Sequence, residues 1–191
     1  MNSRAVETSV PLIDELANRW SPRAFSAEHS FAEGALRGAF EAARWAPSAN
    51  NTQPWRFILA RRGSENFAKV QAALRGFNQV WAGNAAALIV NIAITENENG
   101  DPQPWATYDL GQAVAHLSIQ AQADGLHVHQ MGGFDRDAIV EDFGLSTGQQ
   151  PISVTAIGEL GSADQLPDPL RERESAPRVR RELDELFIVR D

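Results

Sequence analysis

Residues 85–95 are a nearly continuous apolar run, carrying Leu88, Ile89, Val90, Ile92 and Ile94. A strand with one wet face alternates between apolar and polar side chains. A run without alternation reads as a central strand buried on both faces. Such a strand needs a covering layer on each side, so the chain must build a sheet between helices. The periodicity elsewhere supplies both. Strands are predicted over residues 55–60, 126–131 and 152–160, the last opening just after Pro151. Helices are predicted over residues 10–20, 31–45, from Ser64 as N-cap, over 106–124 and from Asp135 as cap to 143. The alanine-rich helix over 106–124 is the longest and stops at Gly125. The pattern predicts one α+β or α/β sandwich over residues 1–191. Residues 162–191 read as a Pro- and Arg-rich arm with few core residues, closing on Leu183, Leu186, Phe187 and Ile188. A tail of that kind wraps a neighbouring surface.

Several function classes fall away on simple grounds. The net charge of −8 argues against general nucleic-acid binding. The absence of cysteine removes disulfides, thiolate nucleophiles and zinc–sulfur sites. No apolar stretch is long enough to span a bilayer, so no membrane partner is expected. Residues 1–7 lack the apolar core of a secretory leader, which fits a cytoplasmic protein. There is no G-x-G-x-x-G, no Walker-type phosphate loop and no G-x-S-x-G elbow. Any bound phosphate must therefore be held by side chains. His127 and His129 alternate on one strand face without a carboxylate near them in sequence, and a non-metal role is favoured.

Four stretches carry chemistry-bearing residues. Arg19-Trp20-Ser21-Pro22-Arg23 places two guanidinium groups and a hydroxyl within five residues. If extended, Arg19, Ser21 and Arg23 share a side and form a comb of donors for phosphate oxygens or a carbonyl-edged ring. The same cations also fit a plain helix C-terminus. Residues 46–55 put Ser48, Asn50, Asn51, Thr52 and Gln53 between Pro47 and Pro54. That polarity suits a loop holding a flat, polar-edged ligand, or a set of turns anchored by Trp55. Met131-Gly132-Gly133 ends a strand where backbone can approach a ligand closely, or where the chain simply turns. Arg178 and Arg180 sit in the arginine cluster of the arm, either as an anion clamp or as a solvated face paired with Glu172, Glu174 and Glu182.

Together these stretches resemble the FMN-dependent nitroreductase family. Its pattern is R-x-S-x-R/K-x-F near the start, then A-P-S-x-x-N-x-Q-P-W, a long central helix, a strand into a glycine turn, and a basic tail. The chain shows all of them in order, the A-P-S-x-x-N-x-Q-P-W run at residues 46–55 being the most specific. The resemblance implies an α/β/α sandwich with a central, mostly antiparallel sheet, and a homodimer in which the C-terminal tail reaches the partner subunit. It implies FMN at the dimer interface, with NADH or NADPH as co-substrate. Arg19 and Ser21, beside Trp20, would contact the FMN phosphate, with Arg178 and Arg180 completing that site. Arg23 would meet the pyrimidine edge. Pro47, Ser48, Ala49 and Asn51 would border the ring from the other subunit. Asn78 would set an amide against its polar edge, and Met131, Gly132 and Gly133 would present backbone near N5. Two positions depart from relatives near where substrate and flavin electronics are set: Gly132, where several carry an acidic residue, and Trp81, where some carry lysine.

The implied activity is hydride transfer from NAD(P)H to flavin N5 and on to a nitro compound, quinone or similar small-molecule acceptor, by a ping-pong course. No catalytic side chain and no metal are needed, because the cofactor carries the chemistry. Arg23 is the candidate for an electrostatic role beside the reduced ring. The alternative is a flavin-binding protein of the same fold with a specialised non-nitro substrate or no turnover.

Overall fold

The computed structural model describes residues 5, 6 and 8–190; the leader expectation for residues 1–7 falls mostly outside them. Four strands form one antiparallel sheet: β1 (Trp55–Arg61), β2 (Ala87–Ile94), β3 (His127–Met131) and β4 (Gln149–Gly158), in the order β1-β2-β4-β3. The apolar run is β2, and it is central. Leu88, Val90 and Ile92 enter one core with Ala60, Val154 and Ala156, whereas Ala87, Ile89 and Ala93 enter the other with Trp55, Val128 and Ile157. Two apolar layers follow from one strand because successive side chains point to opposite faces.

Seven α-helices cover those faces among the described residues: α1 (Asp14–Asn18), α2 (Arg37–Arg44), α3 (Glu65–Ala73), α4 (Asn78–Trp81), α5 (Ala106–Ala123), α6 (Arg136–Phe143) and α7 (Asp168–Ser175). Helices α2 and α5 pack together over the core containing Ile89. Helices α3, α4, α6 and α7 supply Phe67, Val70, Trp81, Ile139 and Leu170 to the opposite core. The two caps read from sequence are present. Ser64 Oγ accepts the Phe67 N–H at 3.1 Å, and an Asp135 carboxylate oxygen accepts the Ala138 N–H at 3.2 Å. Gly125, at φ +77°, takes the left-handed turn that follows α5.

Three expectations need revision. The first helix is Asp14–Asn18, not residues 10–20, and it buries no side chain; its apolar stripe has no core within this chain to settle on. The second starts at Arg37 because Gly34, at φ +80°, interrupts residues 31–36 with a turn. Strand β4 begins at Gln149 and contains Pro151. Asn91 pairs with Ser153 and Ile92 with Pro151, so Ile152 is extra and the register shifts there. A proline has no N–H for the ladder, and a bulge at that position accommodates the loss. In the arm Leu166, Leu170 and Glu174 are buried, so its core positions are few, as expected.

Leu88 is fully buried at the centre of the sheet. Leu88→Ala is expected to cost about 3 kcal/mol through lost transfer energy and an unfilled cavity. Urea unfolding followed by tryptophan fluorescence should read that loss as a lower midpoint at unchanged slope.

Candidate functional site

After α1 the chain turns extended at Arg19, whose φ and ψ are −62° and 130°. Burial then alternates: Pro22 and Ala24 face in, while Ser21 and Arg23 face out. Arg19 is half-buried, and its pKa is lowered by that burial first and by the positive charge of Arg180 second. The structure thus brings Arg19 and Arg180 together from opposite ends of the chain. Arg178 stands beside them in a different role. Its guanidinium donates to Ala17 O at 2.9 Å and to Arg19 O at 2.5 Å, tying the arm to this segment. A groove of about 570 Å³ passes Arg178, Val179 and Arg180. Arg180 is exposed, and its charge acts on half-buried Arg19; an anion near both relieves that repulsion.

The extended segment lies against β3. His129 Nδ1 donates to Pro22 O at 2.8 Å, and the ring packs on Trp81 at 4.6 Å between centroids. Desolvation pushes the His129 pKa down to about 4, against the bond to Pro22, which acts to raise it. Among the described residues no group of three or more His, Cys, Asp or Glu is placed to hold a metal. Strand β3 then runs into the glycine pair. Met131 is buried in the core, while Gly132 and Gly133 are exposed. Gly133 O accepts from Arg75 N at 2.9 Å and from the Asn78 side-chain amide at 3.1 Å. A Cβ on Gly133 would come within 3.1 Å of that amide, whereas one on Gly132 would meet nothing within 4 Å. Asn78 and Gly133 therefore meet, and β3, which carries the glycine pair, also holds the backbone just before Arg23 through His129 and Pro22. Trp81 does not reach the surface: it is 1% exposed and stacks between Phe25 and His129. The expectation set it near where substrate and flavin electronics are decided; the structure gives its side chain a packing role in the core.

The polar loop belongs elsewhere. Ala46 and Trp55, at its two ends, enter the core under α5, across the sheet from Phe25, Trp81 and Leu170. Its polar side chains partly serve the loop itself: Ser48 Oγ accepts the Gln53 N–H at 3.0 Å. Asn50, Asn51 and Gln53 have φ of 52°, 57° and 50°, a left-handed run that Asn tolerates and Gln rarely adopts. The run is held by Asp109, a 2%-exposed carboxylate on α5 that accepts the Ala49 N–H at 3.0 Å. Pro47, Asn50 and Asn51 remain exposed.

Reading the sequence missed Asp109, Glu174 and His129 as organisers of these segments. Asp109 had a signal. It sits on the buried stripe of α5, between Ala106 and Ala113, where an unpaired carboxylate is costly. Glu174 had none, since it is one of several alternating Glu and Arg residues in the arm.

The neutral His129 ring yields a pH dependence. Its pKa is 6.5 when unperturbed and about 4 when folded, so between these values the unfolded chain binds more protons. The stabilisation is full above pH 6.5 and is lost as pH falls through about 4, amounting to about 3 kcal/mol. His129→Phe should flatten the fall in thermal midpoint between pH 7 and pH 4.5; identical slopes would sink the assignment.

The chain and its fold are similar to those of known proteins. The profile described as the Nitroreductase family matches residues 16–80 and 64–159. An oxygen-insensitive NADPH nitroreductase of Helicobacter pylori is 32% identical over 172 residues, covering 86% of this chain and 81% of that one. A crystal structure described as an oxidoreductase containing FMN superposes with a TM-score of 0.91 at 36% identity, covering 100% of this chain and 98% of its own. A putative nitroreductase of Exiguobacterium sibiricum in complex with FMN, 21% identical, shares the fold at a TM-score of 0.76 over 96% of this chain and 99% of its own. The extended R-x-S-x-R segment, the polar loop, the glycine turn and the sheet that carries them all lie within or beside the matched residues, and the chain belongs to the nitroreductase family.

Proposed function

We propose that this protein is an FMN-dependent oxidoreductase that works as a homodimer, taking reducing equivalents from NADH or NADPH and passing them to a nitro compound, quinone or similar acceptor by a ping-pong course. The observation that carries the reading is the tie of Arg178 to the Ala17 and Arg19 carbonyls, which sets Arg180 and its groove beside the segment of Arg19 and exposed Ser21. The donor set there fits a phosphate monoester dianion. The glycine turn fits a flat ring, since Gly132 leaves open space and Gly133 sits against the Asn78 amide.

Arg19, Ser21 and Arg180 would hold the phosphate, with Trp20 alongside and Arg178 fixing the carbonyls behind Arg19. Arg23 would supply positive charge at the pyrimidine edge, Asn78 a polar side chain, and Met131, Gly132 and Gly133 backbone. Bound FMN would supply the hydride and electron chemistry, which these residues cannot perform. The chain's own task is to bind, orient and set charge.

The homodimer follows from what one subunit lacks. The polar loop is anchored under α5 by Ala46 and Trp55, and a second copy would bring Pro47, Ser48, Ala49 and Asn51 to border the ring held beside the arginines. Leu12, Ile13 and Leu16 on and before α1, Trp105 and Tyr108 at the start of α5, and Leu186 to Val189 of the arm are all exposed apolar side chains. Covering them is a reason to associate. No helix among the described residues is long and apolar enough to cross a membrane. The proposed location is the cytoplasm, where reduced nicotinamides are plentiful.

Purified protein is expected to show flavin absorbance and to oxidise NADH or NADPH with a nitroaromatic or quinone acceptor, giving parallel double-reciprocal plots. Colourless protein that takes up no FMN on reconstitution would overturn the reading. Yellow protein without such turnover would leave the specialised-substrate alternative. Arg19→Ala combined with Arg180→Ala should weaken FMN binding about a hundredfold, by removal of two charge-assisted contacts. Fluorescence titration of the apoprotein measures this; unchanged affinity would remove the phosphate assignment.

A further inference from the structure

The arm folds back along residues 17–26 and bonds to them repeatedly. Gly161 N–H donates to Ala24 O at 2.8 Å, and the Gln165 side-chain amide donates to Phe25 O at 2.8 Å. Farther along, Arg178 takes the Ala17 and Arg19 carbonyls. Between these contacts Glu174, in the last turn of α7, points inward and is 3% exposed. Its carboxylate accepts the Arg23 N–H at 2.9 and 3.0 Å, one distance to each oxygen, and the Ala24 N–H at 2.9 Å. The Arg23 guanidinium lies 3.8 Å from the same carboxylate.

Three features make this more than packing. A buried carboxylate is costly, and here its cost is met by two successive backbone amides of the segment that carries Ser21 and Arg23. Those amides face inward, so without Glu174 they would lose their acceptor inside the protein. The contact to the guanidinium is an ion pair at 3.8 Å rather than a close bidentate bond, and the Arg23 side chain remains 24% exposed. Arg23 is thus oriented and partly neutralised from behind, with its outward face still available.

We propose that Glu174 is a positioning residue of the cofactor site: by fixing the Arg23–Ala24 backbone and standing behind the Arg23 guanidinium, it sets where that positive charge is presented and how strongly it favours reduced, anionic flavin over oxidised flavin. This rests on the reading that Arg23 borders FMN. The arm is then part of the site's electrostatics as well as of its phosphate recess. Removing the negative charge while keeping the volume leaves Arg23 more positive and less well held. FMN binding should weaken, while the preference for the reduced form should rise.

The test uses the full chain with Glu174→Gln, and Glu172→Gln as an exposed control of the same charge change on the same helix. Three quantities are measured: FMN affinity of the apoprotein, the midpoint potential of the bound flavin, and amide hydrogen exchange at Arg23 and Ala24 in the apoprotein. For Glu174→Gln we expect oxidised FMN to bind about tenfold more weakly. The ratio of reduced- to oxidised-flavin affinity should rise about tenfold, seen as a more positive potential. Exchange should quicken at Arg23 and Ala24 while Ile89 and Val90 in β2 stay protected. Glu172→Gln should match the wild type throughout. Exchange that quickens everywhere, β2 included, would mean that Glu174 only holds the fold, and would overturn the positioning role. Wild type that binds FMN, with Glu174→Gln matching it in affinity, potential and exchange, would overturn this role alone. Wild type that takes up no FMN would overturn it together with the cofactor reading.

Discussion

Strand β2 has no face to give to water, and the rest of the fold answers to that constraint. Seven of its eight residues are buried, so a covering layer is required on each side and a paired neighbour along each edge. The neighbours are β1 and β4, and the layers are α2 with α5 and the group α3, α4, α6 and α7. The single polar side chain in the run, Asn91, is fully buried and donates to Ser153 Oγ at 2.9 Å and Thr155 Oγ1 at 2.8 Å on β4. A one-residue slip would take that amide from its partners and reverse every apolar side chain. The bulge beside Asn91 shifts the register by one residue in the strand segment holding Pro151.

The same sheet separates the two halves of the candidate site. The polar loop is fastened to the α5 face by Asp109 and Trp55, whereas α7 and the segment 24–25 that its Glu174 holds pack into the core on the other face. Each half is held by a buried carboxylate that accepts backbone amides: Asp109 at Ala49, Glu174 at Arg23 and Ala24. Carboxylates suit this use because they accept without donating, and a charge-assisted bond to an amide is stronger than a neutral one. Neither segment is part of an α-helix or a strand at these amides, so their shapes depend on such outside acceptors.

Much of this was legible from local pattern. The central strand, the long helix ending before Gly125, the Ser64 and Asp135 caps and the glycine turn follow from periodicity and capping chemistry, which act over a few residues. The arm was legible only as composition. In 168–175 a lone buried leucine, Leu170, stands among charged residues, and nothing local says that Glu174 turns inward while Glu172 stays in water. Trp81 was misread for the same reason. Whether an aromatic residue lines a cleft or fills a core depends on Phe25 and His129, both distant in sequence.

The sequence by itself determined the layered α+β architecture and the residue types at the site, because alternation, helical spacing, proline and glycine each constrain the backbone where they stand. The tertiary structure decided which arginine does what. Arg180 meets Arg19, Arg178 spends its guanidinium on two carbonyls, and Arg23 is set against Glu174. Four arginines of equal charge acquire different work because a guanidinium's role is fixed by the groups around it, and those groups arrive only when residues 159–180 fold back onto residues 17–26.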